Sequence, residues 1–337
     1  MTKPLKIVIP MAGFGTRLRP LTWSKPKPLI ALAGKTVLDH VVNMFRSVQD
    51  FESAEFVFIL GPSMGDQIQD HVAKHYPDWH VDYAVQPEMK GQSDAFWQAR
   101  EYLHGPMLMA FSDTLIEADF SFLNDEENDS VAWVKPVPDP RRFGVAELDE
   151  SGAVTKLIEK PQDMDNNLAL VGCYYFKEAE DLISAIKKQI DDDIALKSEF
   201  YLADAINILL ERGISMRTEN VETWLDAGTP EALNETNHYL LAHGHDNTDE
   251  LPSLEDTQII PPVFIHPAAI VSHSIIGPNA SIDEGTVIQG STVKDSIIAT
   301  GAKVTNSKLK NSLLGHDVSI TGLSGKFNLG DDSSASC

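Results

Sequence analysis

The residues best suited to chemistry stand near the start of the chain. PMAGFGTRLRPLTWSKPKPLIALAGK, from Pro10 to Lys35, sets Ala12, Gly13, Gly15, Thr16 and Arg17 directly behind a short apolar run. Two glycines so close together let the backbone bend tightly and aim N–H groups at an anion, and an arginine offers a rigid fork of donors. The same pattern also suits a plain tight βα turn. Lys27, ten residues beyond Arg17 in Pro26-Lys27-Pro28-Leu29, adds a second cation. Two familiar phosphate cradles are excluded by spacing. A dinucleotide fingerprint needs a third glycine where Leu18 stands, and Gly34-Lys35-Thr36 imitates the end of a Walker loop with Leu29 in place of its upstream glycine.

A phosphate cradle of this kind must be presented by a strand and held by neighbours. From Lys6 to about Tyr239 short β-type runs (KIVIP, EFVFIL, VDYAVQ, MLMAFS, SVAWVKP) alternate with helix-length amphipathic stretches at Val37–Val48, Gln92–Leu103 and Leu202–Leu210. That alternation predicts an α/β domain with a doubly wound, mostly parallel sheet over residues 1–240. Residues 241–258 are polar and acidic with little apolar periodicity, and are expected to be a linker. A new rhythm follows over 259–325. Ile265, Val271, Ile276, Ile282 and Ile288 recur every five or six residues, and Ile298, Val304, Leu314 and Ile320 resume the pattern. One inward aliphatic residue per short strand, three strands per coil, predicts a parallel β-helix of three to four coils with about 18 residues each. Residues 326–337 are expected to be a tail.

Composition narrows the partners. The 337 residues carry 27 Lys plus Arg against 50 Asp plus Glu, a net charge of −23, which repels nucleic acid and anionic membranes. A small phosphorylated substrate remains admissible, because a local cationic cluster dominates within one cleft. The two cysteines, Cys173 and Cys337, make no disulfide or zinc framework. Pro10 and the Gly-rich turn interrupt the N-terminal apolar segment before any signal-peptide pattern, and no apolar run approaches the ~20 residues that span a bilayer. A cytoplasmic protein is expected.

The pairing of Gly13-Phe14-Gly15-Thr16-Arg17-Leu18 with Pro26-Lys27-Pro28-Leu29 resembles the opening motif of the sugar-1-phosphate nucleotidyltransferase family. Gln86, Asp113 in FSDT, Gly144 in RFGV, Glu159-Lys160-Pro161, Gly172 in LVGCYYF, Glu199 in SEFYLAD and Asp226 in WLDAGTPE follow in family order. The hexad tail is similar to that of longer members, particularly long-form glucose-1-phosphate thymidylyltransferases with a left-handed β-helix. The resemblance implies transfer of a nucleotidyl group from dTTP or UTP to a sugar 1-phosphate, glucose 1-phosphate foremost, in a homo-oligomeric enzyme.

The same resemblance implies residue roles. Ala12, Gly13, Gly15 and Thr16 with Arg17 hold the departing phosphates, Lys27 the α-phosphate, and Lys160 the phosphate of the sugar. Asp113 and Asp226 share Mg²⁺, a hard cation satisfied by carboxylates and phosphate oxygens. Gly144, Glu159, Gly172 and Glu199 line the sugar. Gln86, whose amide is both donor and acceptor, and Gly91 meet a pyrimidine base. Two positions depart from the pattern: Met11-Ala12 stands where thymidylyltransferases carry Gly-Gly, and Ser112-Asp113-Thr114 where Gly-Asp-Asn is common. Two other functions fit the chain. One is a non-catalytic sugar-nucleotide sensor or assembly subunit; the other is a bifunctional enzyme whose β-helix transfers acyl groups with His266, His273 or His316 as base.

Overall fold

The computed structural model describes residues 3–337, and the chain divides into two compact units. One comprises the residues up to Gly13 with Val41–Trp224, the other Phe14–His40 with Leu225–Cys337.

In the first unit the sheet strands are Lys6–Pro10 (β1), Glu55–Leu60 (β2), His80–Val85 (β3), Met107–Ala110 (β4), Ser130–Pro136 (β5), Gly144–Leu148 (β6), Val154–Glu159 (β7), Leu168–Phe176 (β8) and Met216–Asn220 (β9). Their order is β7-β6-β8-β4-β1-β2-β3, with β5 on β8 and β9 on β5. Ile7, Val8 and Ile9 of β1 are fully buried, because a parallel strand covered on both faces has no side for polar residues. The expected parallel core is present in β4-β1-β2-β3. Beyond it the sheet is mixed: β8 runs antiparallel to β4, β5 and β6, and β6-β7 form an antiparallel pair. Gly172, at φ +83°, sits where the register of β8 against β5 shifts, between Leu170 and Tyr174.

Helices cover this sheet. The stretch expected at Val37–Val48 is an α-helix over Val37–Asn43 (α1) followed by a 3₁₀ turn, Met44–Ser47. After Gly65–His75 (α2), the stretch expected at Gln92–Leu103 is helical only over Gln92–Gln98 (α3). Ala179–Asp191 (α4) precedes Leu202–Glu211 (α5), which matches its expectation within a residue. Leu182, Ala185, Ile186 and Gln189 form the buried stripe of α4, at the three-to-four-residue spacing of an amphipathic helix.

In the second unit Pro230–Leu240 (α6) leads into three five-stranded parallel sheets. The first runs from Gln258–Ile259 to Ser324–Gly325, the second from Val263–Ile265 to Asn328–Leu329, the third from Ile270–Ser272 to Ser334–Ser336. Together they form a left-handed β-helix. Its inward stacks, such as Ile265, Ile282, Ile298 and Leu314, are the hexad aliphatics. Successive strands are 15 to 17 residues apart rather than 18, because most corners close on one residue in the left-handed region: Gly290, Asn306 and Gly322 at one corner, Gly285, Gly301 and Asp317 at another. Serines pin the corners, Ser274 Oγ accepting from Ser291 N–H and Ser291 Oγ from Ser307 N–H. The repeat continues through Ser336, so residues 326–336 include strands of the last coil where a tail was expected. Residues 241–258 are also built in: Asn247 donates to the Ile265 carbonyl and accepts from the Ile265 N–H, capping the open edge of the first coil.

Candidate active site

In the first unit, β1 ends at Pro10 and delivers Ala12 and Gly13. Met11 N–H donates to the Ile59 carbonyl, and a Cβ on Gly61 would stand 2.7 Å from the Ala12 oxygen. The ends of two adjacent parallel strands, β1 and β2, thus approach closely. Ala12 is buried and Gly13 exposed. Gly61 was not singled out in the sequence; a lone glycine after an apolar strand carries no signal beyond a turn.

Gln86 and Gly91 come together. Gln86 is 3% exposed, and its amide NH₂ donates to the Gly91 carbonyl at 3.0 Å and to Asp94 Oδ2 at 2.8 Å. Both donors are therefore used inside the protein, so the two-way amide edge anticipated from sequence reduces to the Oε1 acceptor. Gly91 has φ +104°, and a Cβ there would meet the Phe200 backbone at 2.5 Å. From this turn α3 begins, and its first residues bind the segment 200–202: Ser93 N–H donates to the Phe200 carbonyl, Ser93 Oγ to the Tyr201 carbonyl, and Gln92 Oε1 accepts from Leu202 N–H.

Tyr201 is the link to the next pair. Lys160 Nζ donates to Tyr201 Oη at 3.0 Å, lies 4.6 Å from the centre of its ring, and is 3.4 Å from Glu159 Oε1. Lys160 itself holds φ +49°, and its N–H donates to the Phe143 carbonyl. Gly144 pairs with Glu159 across β6-β7, and a Cβ on Gly144 would lie 3.2 Å from Glu159 Oε2. Burial raises the Glu159 carboxyl above its ordinary range despite the lysine beside it. For Lys160, burial works against the charge, but the Tyr201 hydrogen bond and Glu159 outweigh it and the ammonium is held more firmly than usual. Glu199 is exposed, in the turn Leu196–Glu199, and its charge contributes to the raised Glu159. Gly172 is buried, its carbonyl accepting from Phe111 N–H, two residues before Asp113. Asp113 is half-buried in the turn where Thr114 N–H donates to the Phe111 carbonyl. Tyr201 escaped the sequence reading because nothing in its local pattern separates a core aromatic from one aimed at a lysine.

The second unit holds the other charged candidates. Gly15 takes φ +58°, and a 3₁₀ turn, Thr16–Leu18, follows with Thr16 and Arg17 exposed and Leu18 buried. Thr22 Oγ1 donates to the Gly15 carbonyl at 2.8 Å, and a Cβ on Gly15 would lie 3.2 Å from Lys27 Cβ. Gly15, Thr16, Arg17 and Lys27 therefore share one local fold. Asp226 is exposed; Oδ1 accepts from Gly228 N–H at 2.7 Å, and its carbonyl from Thr236 Oγ1. Thr229 caps α6 behind it, with Pro230 in the first turn. Exposed Asp226 and half-buried Asp113 carry carboxylate oxygens, the donor type that suits a hard cation. Of the three histidines, His266 and His316 lie at equivalent corners three coils apart, about 14 Å at ordinary strand spacing, and His273 occupies a different corner.

Residues 6–243 match the nucleotidyl transferase family. The chain belongs to that family. Nucleotidyl transferases of this family generally use divalent metal ions. Among curated relatives, a low-salt glycan biosynthesis nucleotidyltransferase of Haloferax volcanii is 32% identical over 70% of this chain and 66% of its own length. A glucose-1-phosphate thymidylyltransferase of Streptomyces griseus is 27% identical over 85% of this chain and 84% of its own, a span that takes in part of the β-helix. The chain spans just over half the length of other curated relatives it matches, 58% and 54% for two of them. A nucleoside-diphosphate-sugar pyrophosphorylase structure from Vibrio cholerae shares the fold, with a TM-score of 0.60 at 22% identity over 68% of this chain and 98% of that one. Among the described residues no helix is long and apolar enough to cross a membrane.

Proposed function

We propose that this nucleotidyl transferase joins a nucleoside triphosphate, dTTP or UTP, to a sugar 1-phosphate, with glucose 1-phosphate as first candidate, releasing pyrophosphate and an NDP-sugar. The observation that carries the proposal is the continuous network from Gln86 and Gly91 through the start of α3 to Tyr201 and Lys160. It couples a buried amide acceptor to a cation beside a carboxylate, the pairing that a base at one end and a phosphosugar at the other require. Gln86 Oε1 would accept the N3–H of uracil or thymine, whereas N3 of cytosine has no proton to give.

In the reaction a phosphate oxygen of the sugar attacks the α-phosphorus in line, and pyrophosphate leaves on the opposite side. The attacking phosphate is already ionised near neutral pH, so no side chain need act as base. Lys160 would hold that phosphate. Arg17 and the N–H groups of Gly13 to Thr16 would hold the leaving phosphates, and Lys27 the α-phosphate. Glu159 with the Gly144 backbone, Gly172 and Glu199 would face the sugar hydroxyls. Asp113 and Asp226 would hold Mg²⁺, which when bound supplies positive charge against the phosphates. We assign the chain to a reducing, cytoplasmic setting and to a homo-oligomer, the latter measurable by light scattering.

The test is pyrophosphate release with Mg²⁺, crossing five nucleoside triphosphates against glucose, mannose, galactose and N-acetylglucosamine 1-phosphates. One preferred pair, lost on chelation of the metal and in Asp113→Ala and Asp226→Ala, is the expected result. Silence from folded protein across the whole grid refutes the proposal in favour of a sensor.

A further inference from the structure

The three faces of the β-helix are not equally exposed. On the first face, Gln258, Ile275, Lys308 and Ser324 point to solvent, and on the third Ile270, Lys303 and Ser334 do so. On the second face the equivalent outward positions Ser281, Ile297 and Leu313 are only 4%, 4% and 2% exposed. Isoleucine and leucine are the residue types of a covered surface.

The cover is the segment that carries the phosphate-binding motif. Leu21, Ile30 and Ala31 close a narrow cleft against Ile297 and Leu313, with Leu233 of α6 beside them. A Cβ on Gly34, at φ +78°, would stand 2.5 Å from the ring of Phe264, in the first coil. At the other end, Ser24 Oγ donates to Asp331 Oδ2 at 2.8 Å, and Asp331 Oδ1 accepts from His316 N–H. Residues 20–34 thus run along the second face from its last coil to its first.

One side chain fastens this arrangement. Asn237, on α6, is fully buried; Oδ1 accepts from Ala33 N–H at 3.1 Å and from Ser281 Oγ at 2.7 Å, and Nδ2 donates to the Asn279 carbonyl at 3.3 Å. Its neighbour Thr236 donates to the carbonyl of Asp226. A single turn of α6 therefore holds the Asp226 backbone, the motif segment and the second coil together.

We infer that Asn237 is a positioning residue for the nucleotide end of the reaction, and that the second face of the β-helix is the platform on which Arg17 and Lys27 are set. The β-helix then serves the transferase reaction itself, which no sequence pattern indicated. This inference deepens the proposed function and rests on it for its kinetic part.

The experiment uses the full chain and reads two quantities in Asn237→Ala, in the milder Ser281→Ala, and in Lys303→Ala on the uncovered third face. The first is amide exchange over residues 29–36, which needs no activity: Asn237→Ala is expected to speed it about tenfold, as loss of a buried backbone partner would, with Ser281→Ala intermediate and Lys303→Ala unchanged. The second is steady-state kinetics: kcat/KM for the nucleotide falls about tenfold in Asn237→Ala while KM for the sugar 1-phosphate stays within about twofold. Unchanged exchange in folded Asn237→Ala and Ser281→Ala overturns the inference. So does an equal rise in both substrates' KM, or an equal effect from Lys303→Ala. A wild-type chain without turnover would remove the proposed function alone, and the exchange result would still decide the platform.

Discussion

Tyr201→Phe separates the two ways in which this aromatic holds Lys160. The hydroxyl accepts one of the three ammonium protons at 3.0 Å, and the ring lies 4.6 Å from the nitrogen. A hydrogen bond to a charged donor is worth about 1.5–3 kcal/mol when dry. The Lys160 side chain is 47% exposed, so water replaces much of what is lost, and about 1 kcal/mol is the appropriate expectation. That is about a fivefold rise in KM for the sugar 1-phosphate. Phenylalanine keeps the ring contact; Tyr201→Ala loses it too, adding about 0.5–1 kcal/mol for a partly exposed pair. The hydrogen bond also raises the Lys160 pKa against the effect of burial, and the ammonium is the binding form. Its removal therefore moves the alkaline loss of sugar-phosphate binding to lower pH. Initial rates of pyrophosphate release, with the sugar 1-phosphate varied at saturating nucleotide between neutral and alkaline pH, measure both effects. A wild-type KM and alkaline limb in Tyr201→Phe, with an unchanged melting temperature, would refute the positioning argument, as would a shift confined to the nucleotide KM.

Glu159→Gln is expected to raise stability near pH 7 while lowering activity. Burial raises the folded-state pKa, so the stability associated with this group is full below the unfolded value and declines as pH rises through the folded one. Paired melting and rate measurements check this, and a destabilised variant at neutral pH would contradict it. Gly91→Ala combines a strained φ of +104° with a 2.5 Å approach to Phe200, a cost of about 1–3 kcal/mol. Its nucleotide KM should rise more than its sugar-phosphate KM as the Gln86 anchor is displaced, and equal effects would count against a base-side role. His40 is buried, with Nε2 on the Leu32 carbonyl; desolvation outweighs that bond and lowers its pKa to about 4. Protonation is thus disfavoured in the fold, and the stability it contributes is present above pH 6.5 and lost as pH falls towards 4. Urea unfolding should show about 2–3 kcal/mol of loss from this group by pH 4.5, absent in His40→Gln. Parallel pH profiles of the two proteins would disprove it.

Much of the architecture is legible in residue periodicity. The runs around Ile7, Phe56 and Leu108 become the parallel core because a strand buried on both faces must be continuously apolar. The hexad aliphatics specify a three-faced coil because only that geometry places every one of them inside. The antiparallel β8 was less legible: LALVGCYYF is as apolar as a parallel strand, and only its pairings reveal direction. The coil length was misjudged by one to three residues, since corner conformations leave no mark on inward spacing. The acidic stretch 241–258 has a linker's composition, and only the position of Asn247 over Ile265 makes it a cap.

By itself the sequence determined the family: two glycines in a tight turn, cations at Arg17, Lys27 and Lys160, and carboxylates at Asp113 and Asp226 stand in an order specific enough to identify it. Those properties belong to residue types and to spacing along the chain, so they survive without coordinates. Only tertiary structure decided that Gln86 spends its donors on Gly91 and Asp94, that Tyr201 meets Lys160 across 41 residues, and that Asn237 ties Ala33 to Ser281. Each is a contact between groups far apart in sequence, whose partners are set by how strands and coils stack. Hydrogen bonds of that kind follow from distance in space, which a linear pattern does not encode.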